Sequence, residues 1–280
     1  MFRTSAICLL LVATAGNELG RTSKPETKDA TQTDVARLSA AAKSCNIETM
    51  RALIAGGVDV NATDDDGYSA LSYASKHKAW TNKLKCPEAV SVLTQAGADP
   101  WKSRHYQNPR LNNETPQLIG VITVEDRRET KENSPEVVPG LTKTIQTILH
   151  DKRSLREAGA VLGYPILRLD EVRQKLGAAG WSGQETNHPD PIKACGILGA
   201  DAVFEAVLKA FSSRDLIVRK STGAALEFTL TDCRTGELLW RTDNYFEEAR
   251  LGLLTRALQS NWSNLLSEGI INFPRYQKRK

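Results

Sequence analysis

A chain of 280 residues, 40% hydrophobic and 25% charged, has the composition of a folded globular protein of one large or two smaller domains, which excludes a fibrous or wholly disordered chain. The net charge of +4 is mild, and basic and acidic residues alternate along most of the sequence, which argues against a nucleic-acid-binding face. The only basic run, Lys278-Arg279-Lys280, reads as a solvated tail over residues 274–280.

Residues 1–15 have the pattern of a signal peptide. Arg3 supplies the positive start, residues 6–13 are apolar, and Ala13-Thr14-Ala15 fits small-x-small cleavage. The apolar run falls short of the ~20 residues that span a bilayer. An exported, periplasmic chain is expected, with secretion as the alternative. Cys8 would leave with the signal, so Cys45, Cys86, Cys195 and Cys233 remain. None is spaced as Cys-x-x-Cys, so neither a redox motif nor a zinc motif is present. Four thiols allow three connectivities, or none.

Residues 16–33 have almost no apolar content and are expected to be a disordered linker. From residue 34 the texture changes. Leu38, Ala41 and Ala42 mark one short helical face, and Met50, Leu53 and Ile54 a second. Gly56-Gly57-Val58-Asp59-Val60-Asn61-Ala62 follows, then Asp66-Gly67-Tyr68-Ser69-Ala70-Leu71-Ser72-Tyr73-Ala74. A second unit closes on residues 87–93 and Gly97-Ala98-Asp99-Pro100. This pattern resembles the ankyrin repeat over residues 34–101, as two units. The second carries extra residues around 79–85, since Gly57 and Gly97 are further apart than the usual ~33 residues. The resemblance implies a stack whose tips and first-helix faces bind a protein partner, here Asp64, Asp65, Asp66, Tyr68, Tyr73, His77, Trp80 and Trp101. Two units are fewer than a free-standing array needs, so one end of the stack must be covered. The alignment also puts Cys45 and Cys86 at equivalent corners of adjacent units, which favours their pairing.

Residues 102–116 have the composition of a linker. The apolar run over 117–124 predicts a buried strand, closed by residues 133–139. Leu141, Ile145, Ile148 and Leu149, continuing through Leu155, Ala158 and Leu162, mark a long helix. Residues 164–169 read as a strand, with Asp170 capping a helix through Val172 and Leu176. A polar loop over 177–190 and a short helix around Ile192 follow. In the most informative stretch, residues 198–240, Leu226, Phe228 and Leu230 alternate with Glu227, Thr229 and Thr231. That alternation predicts a strand with one apolar face, and Asp232 to Gly236 then supply turn chemistry. Leu251, Leu254, Leu258, Trp262 and Leu265 space out a terminal helix.

The fold class is therefore α+β: a short helical repeat stack, then a sheet domain over 117–273 with a long antiparallel hairpin and a terminal helix. Leu198-Gly199-Ala200-Asp201-Ala202-Val203-Phe204 and Thr229-Leu230-Thr231-Asp232-Cys233-Arg234-Thr235-Gly236-Glu237-Leu238-Leu239-Trp240 make this domain resemble Gram-negative putative lipoproteins with a TolB N-terminal/CsgG-like fold. The resemblance implies envelope assembly rather than catalysis, with peripheral contact to outer-membrane or envelope components. Those lipoproteins carry a lipid-attachment cysteine after the signal. Cys8 comes too early for that role. Within this domain Cys195 and Cys233 form the second expected pair.

Candidate chemistry is sparse. The four histidines, His77, His105, His150 and His188, lack metal-ligand spacing. No nucleophile elbow, P-loop or dinucleotide fingerprint occurs. Asp64-Asp65-Asp66-Gly67 lacks the glutamate that would complete a calcium loop, since Tyr73 stands in its place. Asp201 and Asp232 read as turn formers, and Trp240 and Trp262 as core. The expectation is a non-enzymatic protein, with no metal and no cofactor, that binds a protein partner. The alternatives are a hydrolase-type enzyme with a dispersed site in the α+β domain, or a secreted ankyrin effector.

Overall fold

The helical spacing of the N-terminal part produces two stacked helix pairs. In the computed structural model, α1 (Thr27–Ser44) pairs with α2 (Ile47–Ala55), and α3 (Ala70–Ala74) with α4 (Pro87–Gln95). α1 packs on α3 and α2 on α4. Residues 27–76, 83–122, 124–128, 137–150, 164–181, 190–215, 219–251 and 273 are described. The signal segment 1–15, the residues expected to form the terminal helix beyond Leu251, and the tail 274–280 lie outside them.

Leu38, Met50, Leu71, Ala89, Val90 and Leu93 share one buried core. Asn46 caps α2, its side chain accepting from the Thr49 amide at 3.0 Å, and Ser69 caps α3 through the Ser72 amide at 3.3 Å. Gly57 and Gly97 turn the chain at φ 85° and 93°, where a side chain would be strained. Asn61 ties the two turns together: its amide donates to the Gly97 carbonyl at 3.1 Å and its oxygen accepts from the Asp99 amide at 2.7 Å. α1 begins inside the stretch expected to be linker. Once Val35 and Leu38 are packed, each preceding residue adds a hydrogen bond at little cost, so the helix extends back to Thr27.

Among the described residues a six-stranded sheet follows. Its order is β1-β6-β5-β4-β2, from β1 (His105–Gln107), β2 (Ile119–Val121), β4 (Ala202–Asp215), β5 (Arg219–Asp232) and β6 (Leu238–Leu251), with β3 (Glu125–Asp126) also pairing β4. β4, β5 and β6 form an antiparallel meander, whereas β2 and β3 run parallel to β4. The single hairpin read from residues 226–240 is thus the second turn of three long strands. Leu251 ends β6. The run at 117–124 pairs over Ile119–Val121, and the expected strand at 164–169 is reduced to one bridge, Ile166 to Ile119. α6 (Leu169–Ala178) starts there with Arg168 at its N-cap. Asp170 lies in the first turn, where Arg168 holds its carboxylate at 3.0 Å, so it does not cap the helix.

One sheet face carries the main core. Phe204, Phe228, Trp240 and Phe273 meet there, with α5 (Val137–His150) contributing Leu141, Ile145 and Leu149. On the other face α6 and α7 (Pro191–Leu198) pack Val172, Leu176 and Leu198 against Val203. Cys195 in α7 is joined to Cys233 in the β5–β6 turn, S–S 2.08 Å. Because helices cover both faces, the polar side of β5 is not solvated: Thr229 and Thr231 are buried as well.

Cys45 and Cys86 are free thiols, so their expected pairing is corrected. They do meet. Burial, and then the hydrogen bond to the Cys86 thiol, push the Cys45 thiol up to about 11. Disulfide exchange needs the thiolate, which this environment suppresses.

The expected linker 102–116 is built into the fold. β1 pairs with β6, Tyr106 opposite Arg241 and Gln107 opposite Trp240, and the Asn108 amide donates to the Leu239 carbonyl at 2.8 Å. Its polar composition hid this role because the polar groups are paired internally: Asn112 accepts from the Leu84 amide at 2.8 Å, and Gln107 is fully buried. Tyr106 and Leu238 join the helical core, so the sheet edge covers the end of the repeat stack. Among the described residues, no helix is long and apolar enough to cross a membrane.

Candidate partner-binding surface

The turn before α3 is pinned by its own backbone. Thr63 bridges to Ser69, the Asp64 amide donates to the Tyr68 carbonyl at 3.0 Å, and Gly67 takes φ 75°. The Asp64 carboxylate accepts from the Tyr68 amide at 3.0 Å and from the Tyr73 hydroxyl at 2.6 Å. Burial opposes ionisation of Asp64. The Tyr73 hydroxyl, the amides of Tyr68 and Asp66, and the charge of Lys43 outweigh it and hold the carboxyl below its ordinary value. The same bond, with burial, pushes Tyr73 up to about 12 and keeps it a donor at any ordinary pH.

Around this pair the fold assembles a ladder of rings and cations. The ammonium groups of Lys43 and Lys76 lie 4.5 Å and 4.9 Å from the Tyr73 ring centre. Tyr68 sits 5.7 Å from Tyr73 and stacks on His105 at 5.8 Å, and the Arg104 guanidinium lies 5.2 Å from the Tyr68 centroid. His105 belongs to β1, and its Nδ1 is 2.9 Å from the Thr242 hydroxyl of β6. The tip is therefore coupled directly to the sheet.

Of the residues expected to bind a partner, Asp64, Tyr68 and Tyr73 come together. Asp65 and Asp66 are exposed beside them, with Asp65 accepting from Gln32 at 3.1 Å. Tyr73 is corrected from a contact residue to a positioning one, because α3 packing buries it. Trp101 lies on the 3-10 turn Pro100–Lys102 and lines a different groove. His77 and Trp80 lie outside the described residues. Lys43, Lys76, Arg104 and His105 escaped the sequence reading. They come from three separate segments, and only the ankyrin register, which aligns α1 with α3, could have suggested that Lys43 faces Tyr73.

Asp201 and Asp232, read from the sequence as turn formers, are taken up by turns. Asp201 accepts from the amides of Gln117 and Leu118 at 3.0 Å and 2.9 Å. Asp232 accepts from the amides of Arg234 and Thr235 at 2.8 Å and 2.9 Å and pairs with Arg110. Both line an open cavity of about 490 Å³ beside the disulfide. Burial works against the charge on Asp232, but the Thr235 and Arg234 amides and Arg110 hold its carboxyl below the ordinary value. A depressed folded-state value gives stability that is present above the unfolded value, about 3.9, and lost as pH falls through the folded one. Acid titration of unfolding should therefore show stability dropping below about pH 4, and Asp232→Asn should flatten that drop while lowering stability at neutral pH. Among the described residues, no group of three or more His, Cys, Asp or Glu could hold a metal ion.

Residues 38–79 match the family model for ankyrin repeats (many copies). Among solved structures, the chain is similar to lipoprotein GNA1162 from Neisseria meningitidis. The two are 19% identical, the match covers 56% of this chain and 99% of that one, and the TM-score is 0.38. It is also similar to the LpoB C-terminal domain from Salmonella enterica, at 14% identity, 48% and 86% coverage and TM-score 0.32. PelC from Paraburkholderia phytofirmans, a dodecamer, matches at 12% identity, 57% and 89% coverage and TM-score 0.32. At these values the structural likenesses assign neither a partner nor a role.

Proposed function

We propose that this chain is a non-enzymatic adaptor of the cell envelope, exported to the periplasm, that binds a protein partner through its ankyrin tip and docks through its α+β domain. The observation that carries the reading is the tip itself. Exposed Asp65 and Asp66 stand on a turn held by the Asp64–Tyr73 bond, and the exposed cations Lys76 and Arg104 lie over the Tyr73 and Tyr68 rings of the same ladder. A fixed, mixed array of charges and aromatic rings suits protein recognition, and little ordering entropy is lost on binding. The ankyrin match supports the same reading. The pattern of residues 1–15 supports export, as does the Cys195–Cys233 disulfide, a bond typical of oxidising compartments. The TolB N-terminal/CsgG-like markers at 198–204 and 229–240 support envelope docking.

The test is photo-crosslinking in intact Gram-negative cells, with the reactive residue at Asp65 or Asp66 of the full chain and a control at Arg173 on α6. A discrete protein adduct from the tip, absent from the control and recovered in the periplasmic fraction, is expected. Identical adducts from tip and control, or recovery in the cytosol with residues 1–15 intact, would refute the reading.

A further inference from the structure

Trp101 and Ile192, 51% and 58% exposed, are the large hydrophobic side chains left open to solvent among the described residues, and both border the β5–β6 turn. Trp101 lines a groove of about 550 Å³ together with Gly236, Glu237 and Leu238 of the β5–β6 turn. Ile192 packs over the back of Gly236, where a Cβ would meet its Cδ1 at 3.2 Å, so the apolar surface continues past the turn. Pro100 and Pro109 line it as well, both rigid and apolar. The volume is that of a site for a few side chains. It lies away from the Tyr68–Tyr73 ladder and shares no lining residue with it.

The groove has a definite charge. Glu237 is the only ionisable acid or base among its described lining residues other than the buried phenol of Tyr106. Its carboxylate receives one hydrogen bond, from the Asn108 amide at 2.7 Å, and forms a longer ion pair, 3.9 Å, with Arg110, which also pairs with Asp232. Half of the Glu237 side chain is exposed. A ligand cation would therefore find an acceptor with free lone pairs at the rim, while the guanidinium beside it, Arg110, is already shared between Glu237 and Asp232. An indole flanked by prolines suits extended, proline-bearing or aliphatic chain, which loses little entropy when it lies flat on such a surface.

We infer that this groove is a second docking surface, for an extended segment of a partner protein in which a proline or aliphatic side chain stands beside a lysine or arginine. The inference rests on the reading that the chain binds proteins, but it uses different residues from the tip. The experiment pans the full-length chain, disulfide intact, against a displayed library of random peptides, then measures a synthetic copy of a selected peptide. Selected sequences should combine proline, leucine or isoleucine with lysine or arginine. Trp101→Ala should weaken the synthetic peptide about ten-fold or more, and Glu237→Lys should abolish binding of the cationic peptide. Both positions are half exposed, and circular dichroism and a thermal melt show whether each variant keeps the fold before its binding is compared. Acidic or charge-indifferent selections, or an affinity unchanged by either variant, overturn the groove. Asp65→Lys with Asp66→Lys should leave the peptide's affinity unchanged. Peptide binding without tip adducts overturns the tip reading alone, and tip adducts without peptide binding overturn the groove alone.

Discussion

Trp240→Ala is expected to destabilise the chain by about 3–5 kcal/mol, the range for emptying a fully buried aromatic site. Trp240 is 2% exposed on β6, paired with Leu230 on one side and Gln107 on the other. Its ring meets Phe273 edge-on at 4.9 Å and stacks near Phe204 at 6.3 Å. Phe204 touches Phe228 and Phe273 in turn, so the four rings form one block and the hole left by alanine cannot close by a single rotation. Urea denaturation should show the midpoint falling with little change in slope, and Trp240→Phe should retain most of the stability. Trp101→Ala, at a half-exposed site, should stay within about 0.5 kcal/mol of the parent. Equal losses at the two tryptophans would contradict the core described above.

The second large effect belongs to Arg241→Ala. The Arg241 side chain is 7% exposed and fans out to three acceptors: the Glu227 and Asp243 carboxylates, each at 2.9 Å, and the Ser103 carbonyl. Lys209, at the bulge in β4, reaches the same two carboxylates at 2.5 Å and 2.7 Å. Removing Arg241 leaves two largely buried carboxylates with one cation, and breaking a buried pair in this way costs about 3–5 kcal/mol. Because Ser103 belongs to the segment joining the repeats to the sheet, the damage should concentrate at that seam. Hydrogen exchange should quicken first at the Asp243 amide, which donates to the Arg104 carbonyl at 2.8 Å. Combining Arg241→Met with Glu227→Gln and Asp243→Asn should recover most of the loss, because no uncompensated charge then remains. A triple variant as unstable as Arg241→Ala would show that packing matters here more than charge.

The ankyrin units were legible because their turns need glycine at positive φ at fixed spacing, and Gly57 and Gly97 mark those places directly. Residues 226–230 were legible because alternation is a one-strand property. What escaped notice depends on partners far away in sequence. β1 is three residues of ordinary polar composition, and only pairing with β6, well over a hundred residues later, makes it a strand. Thr229, Thr231 and Arg241 look like a solvated face in the sequence, yet all three are buried, Arg241 against the Ser103 carbonyl. The proposed partner-binding surface was legible only as a region at the tip. The placement of Tyr73 inside it, and of Lys43, Lys76, Arg104 and His105 around it, was not, since each requires the stacked geometry of helices that sequence spacing alone does not orient.

His105 ties the tip to the sheet. One side of its ring lies on Tyr68 and its Nδ1 meets Thr242, while its backbone belongs to the outermost strand of the sheet. A partner pulling on the tip would load the three residue pairs of β1 with β6 at the sheet margin instead of stretching a slack tether. Traction along β6 would strain those hydrogen bonds together, whereas traction across it would unzip them one at a time. The direction from which a partner pulls would then decide whether the repeats and the sheet move as one lever or come apart.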